Sequence, residues 1–94
     1  MNAKQIISEL NAKGARFVVN TNIMYGKGIN GVGFDSYIQH EEFSSGTEVY
    51  RTFEPNDDCL VVTEKYEPRD KKPYSRRRYI GYDKITYITE IVED

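Results

Sequence analysis

Between Asn2 and Gly14 the apolar residues Ala3, Ile6, Ile7 and Leu10 recur at the i, i+3, i+4, i+7 spacing of one helical face. Asn2 can cap such a helix, Gln5 stands where a capping box places its partner, and Gly14 suits a left-handed stop. A helix of about eleven residues is marginal on its own. Its stripe must pack on something, and the rest of the chain offers only strands.

From Ala15 the texture changes to β-branched and aromatic runs divided by Gly, Pro, Asn and Asp, the pattern of strands and turns. Residues 16–19 read as a first strand, 26–33 as a flexible glycine-rich loop, 32–39 as a second strand and 41–46 as a polar link. Residues 47–53 and 59–66 bracket four turn formers, Pro55, Asn56, Asp57 and Asp58, and predict a β-hairpin. In its first arm Val49, Arg51 and Phe53 share one face while Glu48, Tyr50 and Thr52 share the other, so neither face is purely apolar. Residues 77–82 return as the far arm of a second, longer-tipped hairpin. Residues 84–92 read two ways. Ile85, Tyr87, Thr89 and Ile91 alternate as in a strand, whereas Ile85, Ile88, Ile91 and Val92 form a helical stripe; the β-branched content favours the strand. The expectation is a single α+β domain over residues 1–94, with an N-terminal amphipathic helix packed on a mainly antiparallel sheet of four to six strands. A short helix followed by about five strands is similar in layout, though in no motif, to the small Sm-like barrels, which bind RNA and form rings.

Charge adds a feature that the hydrophobic pattern does not show. Residues 69–78 carry six basic side chains and one acid, +5 within a chain of net charge -2, which leaves -7 on the other 84 residues. Tyrosines interleave with the cations, and arginine forks and tyrosine rings together suit phosphates and unpaired bases. The candidate partner-binding residues are Arg69, Lys71, Lys72, Tyr74, Arg76, Arg77, Arg78 and Tyr79, with Lys27 and Asn30 as further contacts from the glycine loop. In a flat strand Arg76 and Arg78 fall on one face and Arg77 on the other, with Tyr79.

The chemistry-bearing residues form no recognisable catalytic set, and the expectation is a non-enzymatic binding module without cofactor or metal. The G-x-G-x-x-G of residues 26–31 runs into strand-like sequence where dinucleotide binding requires a helix N-terminus. His40, the only histidine, reads as a solvated surface residue, with Asp35 the one plausible further metal ligand. Adjacent Glu41 and Glu42 cannot both converge with it, because successive strand side chains point to opposite faces. Cys59, the only cysteine, excludes an intramolecular disulfide and reads as a small core residue in a reducing compartment.

No stretch approaches the roughly 20 apolar residues of a membrane helix, so the expected setting is soluble and cytoplasmic, with no membrane partner. The nominal partner is nucleic acid, RNA or a single strand. The alternative is a larger protein, engaged by an inhibitor or adaptor of viral or mobile-element type through its segregated basic and acidic surfaces. A chain of this size also has reason to form a homo-oligomer.

Overall fold

The computed structural model describes residues 1–28 and 31–93, and side chains outside 25–32. Helix α1 spans Ala3–Ala12, and its capping box is complete. The Gln5 N–H donates to the Asn2 side chain at 2.9 Å, and the Asn2 N–H donates to Gln5 Oε1 at 2.9 Å. The helix stops at Gly14, whose φ of +65° is the left-handed conformation that glycine adopts without strain.

Among the described residues seven strands follow: β1 (Arg16–Gly28), β2 (Gly31–Ile38), β3 (His40–Glu42), β4 (Thr47–Pro55), β5 (Cys59–Pro68), β6 (Tyr74–Gly81) and β7 (Ile85–Ile91), with a 3-10 turn at Tyr82–Lys84 before the last. The fold is α+β, but its strands divide into two antiparallel sheets, β2-β1-β7 and β3-β4-β5-β6, where one sheet of four to six was expected. Gln39 marks the crossing. Its side chain accepts from the Phe17 N–H at 3.0 Å, and its carbonyl accepts from the Arg51 N–H at 2.7 Å, so one residue ties both sheets.

Two expected loops are partly strand. Residues 26–28 and 31–33 extend β1 and β2, with register shifts between Asn20 and Met24 and between Tyr25 and Gly28. The first two residues of the polar link, 41–42, and His40 before them pair with Val49, Glu48 and Tyr50 although none of the three is apolar. Backbone pairing to β4 decides this, not side-chain character. The two readings of residues 84–92 also have a common cause. Thr21 pairs with Ile85 and Asn20 with Tyr87, so the register slips at Thr86 and both Ile85 and Ile88 reach the core. A bulge in a strand thus reproduces a helix-like spacing.

The core lies between the sheets and under the helix. Ile7 and Leu10 come from α1, Phe17, Val19 and Tyr37 from the first sheet, and Phe53, Leu60, Val62 and Ile80 from the second. Phe17 and Phe53 meet across the sheets with ring centroids 4.9 Å apart. α1 packs on β4 and β7, one strand of each sheet. Among the described residues no helix is long and apolar enough to cross a membrane.

Candidate anion-binding face

Alternation along β5 turns Leu60, Val62, Glu64 and Tyr66 inward, which puts a carboxylate at 1% exposure among core residues. An unpaired charge there would be prohibitively costly, so cations must meet it. The register supplies them: Glu64 pairs directly with Arg51 on β4 and Arg76 on β6, and Arg78 is the next inward residue along β6.

Arg51 Nε donates to Glu64 Oε2 at 2.6 Å, Arg78 Nε to Oε1 at 2.6 Å, and the Tyr66 hydroxyl to Oε1 at 3.1 Å. The Arg51 guanidinium also donates to Glu41 Oε2 at 2.6 Å and to the Ile38 carbonyl at 2.9 Å. From the facing sheet the Tyr37 ring lies under both Arg51 and Arg78, 5.6 and 5.8 Å from their guanidinium carbons. Burial opposes the Glu64 charge, yet the hydrogen bonds from Arg51 and Arg78 outweigh it and hold the carboxyl below the usual carboxylate range. The bond to Glu64 holds Arg78 above the ordinary arginine value. Burial, then the Asp35 charge, pushes the Tyr37 hydroxyl up to about 12.

This network divides the basic run into three parts. Arg76 and Arg78 turn inward: Arg78 is bonded to Glu64, while Arg76 lies over the Tyr66 ring at 4.6 Å and donates to the Tyr66 hydroxyl. Arg77 and Tyr79 point outward, Tyr79 exposed on the opposite face of the sheet. Arg69, Lys71 and Lys72 stand exposed in the turn before β6. The eight candidates therefore do not meet at one site, and Tyr82, hydrogen-bonded to the Asn56 carbonyl, lies at the hairpin's other end. Lys27 belongs to β1 with its side chain outside the described set, and Asn30 lies outside the described residues altogether.

What the structure does bring together is a smaller group. Arg69, Lys71 and Tyr74 line an open cleft of about 310 Å³ with Pro68, Asp70, Ser45 from the turn before β4 and Thr47 at the start of β4. Tyr74 stacks on Tyr66 with centroids 4.8 Å apart and planes 5° from parallel, so its half-exposed ring is held in place. Gly46 fixes Arg69. It adopts φ +80°, its carbonyl accepts from the Arg69 N–H at 3.2 Å, and a Cβ there would stand 3.2 Å from the guanidinium carbon.

On the other side of Arg69 is a second cleft of about 490 Å³, walled by Glu42, Glu48, Glu67 and the exposed Phe43. The hydroxyls of Ser45 and Thr47 carried no signal in the sequence. Glu64 did carry one, as the charged member of an alternating apolar strand. Compared with protein-family models, curated proteins and solved structures, the chain has no match.

Proposed function

We propose that the protein is a non-enzymatic module that binds an anionic partner, single-stranded nucleic acid, at the turn between β5 and β6. The observation that carries this reading is the convergence of Arg69, Lys71 and the stacked Tyr74 ring on one cleft, where the two cations outnumber the single carboxylate of Asp70. Cations there neutralise phosphates, and the tyrosine face offers an unpaired base roughly 1–3 kcal/mol of stacking. Arg78 serves a different purpose, holding Glu64, and Arg76 is engaged with Tyr66 beside it, 3.9 Å from the Glu64 carboxylate; neither is counted among the phosphate contacts. With a net charge of -2 the attraction is local and falls steeply with salt.

The test is titration of labelled single-stranded RNA and DNA at several salt concentrations. Three neutralised phosphates, one each for Arg69, Lys71 and Lys72, predict a log–log slope of about -2 for single strands. Alanine at any of the three lowers that slope, and Tyr74→Ala weakens binding about tenfold without changing it. Arg77→Ala, on the opposite face, leaves both unaltered. Absence of binding at low salt, or indifference to Arg69→Ala and Tyr74→Ala, refutes the reading.

A protein partner is the second reading, favoured by the acidic cleft that shares Arg69 with the basic one. Such side-by-side opposite charges fit a complementary surface. A stoichiometric partner that survives nuclease treatment and is lost with both Arg69→Ala and Glu48→Lys would replace nucleic acid with protein.

A further inference from the structure

His40 does not stand alone in solvent. Strand alternation sends Glu41 inward to Arg51 and leaves His40 and Glu42 on the outer face of the second sheet, and the register sets Tyr50 opposite His40 and Glu48 opposite Glu42. The third ligand, the carboxylate of Glu48, thus arrives from the neighbouring strand, not from Asp35, which accepts the Tyr37 hydroxyl. One ligand atom from each of His40, Glu42 and Glu48 lies within 4.8 Å of the others.

Three features distinguish this group from a chance meeting of surface charges. The His40 ring is stacked on Tyr50, centroids 4.7 Å apart and planes 8° from parallel, which fixes its direction. Although the side chain is 40% exposed, its Nε2 is shielded from water and has no hydrogen-bond partner among the described residues; Glu48 Oε1, at 3.9 Å, is too far to accept. The Tyr50 hydroxyl donates to Glu48 Oε2 at 2.8 Å, leaving Oε1 directed to the histidine. A clamped imidazole with an unsatisfied nitrogen, facing a carboxylate whose other oxygen is already anchored, is the donor arrangement of a divalent metal site.

We infer that His40, Glu42 and Glu48 bind a zinc-class divalent ion, with Tyr50 as a positioning residue and the remaining coordination positions open to the acidic cleft. One imidazole nitrogen and two carboxylate oxygens suit Zn2+, which bonds them at about 2.0–2.2 Å and so draws its ligand atoms to about 3.3–3.5 Å apart. Rotation of the exposed Glu42 side chain, with a small approach of His40 and Glu48 from their 3.9 Å separation, closes the difference. This site is independent of the nucleic-acid reading, which uses neither His40 nor Glu42.

The experiment is calorimetric titration of Zn2+ into the full chain after chelator treatment, with Co2+ absorption as a second readout. One ion per chain is expected. His40→Ala and Glu42→Gln each weaken binding at least tenfold, and Glu42→Gln keeps the test valid should the first variant not fold. Tyr50→Phe retains the ring stack, loses the bond to Glu48, and weakens binding about tenfold with an altered Co2+ spectrum. Cys59→Ser leaves binding unchanged. Absence of Zn2+ binding, equal binding by Glu42→Gln, or loss of binding with Cys59→Ser overturns the assignment.

Discussion

Glu64→Gln preserves shape and removes a single charge, so it isolates what the buried network contributes. In the native chain Oε1 accepts from Arg78 and Tyr66 and Oε2 accepts from Arg51. Glutamine replaces one oxygen by an NH2 group that meets an arginine donor. The less damaging orientation keeps its oxygen toward Arg78 and Tyr66 and gives up the Arg51 bond, after which Arg51 retains Glu41 and the Ile38 carbonyl.

Losing a charged hydrogen bond is worth about 1.5–3 kcal/mol, and leaving buried cations without their counter-charge raises the total toward about 3–5. Arg78 is partly exposed and relaxes into water, which argues for the lower end. About 3 kcal/mol is expected. For a domain of this size that is a large part of the total stability of about 5–14 kcal/mol, and it lowers Tm by roughly 12–24 °C.

Urea and thermal unfolding followed by circular dichroism measure it, with an unchanged urea m-value confirming that only stability moved. A loss under about 1 kcal/mol would refute the reasoning. It would mean that Glu64 is not what holds Arg78, and that arginine would return to the list of candidate partner contacts.

Further outcomes follow from the same geometry. Because the Glu64 carboxyl is held below its unfolded value of about 4.3, its stabilisation is present above that pH and is lost as pH falls toward the folded value. Urea unfolding between pH 7 and 3 should show this acid loss, and an equally steep loss in Glu64→Gln would rule Glu64 out as its source. Asn2→Ala removes the side-chain acceptor for the Gln5 N–H and should lower stability by about 1 kcal/mol, while Asn2→Ser restores most of it; equal stability of the two variants would contradict the cap. Gly46→Ala forces a side chain into φ +80° and against the Arg69 guanidinium. It should destabilise by about 1–2 kcal/mol and weaken single-strand binding as Arg69→Ala does, and unchanged binding would show that Arg69 needs no such support.

Local signals settled what depends on neighbours in sequence. The helix with its Asn2–Gln5 box and Gly14 stop, the hairpin at residues 55–58 and the strand character of residues 85–91 were all readable, because each follows from spacing, capping or turn chemistry within a few residues. The split of the arginines was readable too, since strand period alone separates Arg77 from Arg76 and Arg78. Strand boundaries in 26–33 and 40–42 were not, because backbone pairing there overrides glycine-rich or charged sequence.

By itself, then, the sequence determined an α+β chain with a displaced cluster of positive charge, and limited which of its arginines could face the same way. Only the tertiary structure decided what those charges meet. Glu64, 12 to 14 residues before Arg76 and Arg78 and 13 after Arg51, becomes their common partner through inter-strand register. Glu48 joins His40 and Glu42 by the same means. Cross-strand contacts of this kind are set by pairing register and turn length, quantities that the order of residue types constrains only weakly. For that reason the basic run was visible in the sequence, while the smaller cleft at Arg69, Lys71 and Tyr74 became visible only when the strands were paired.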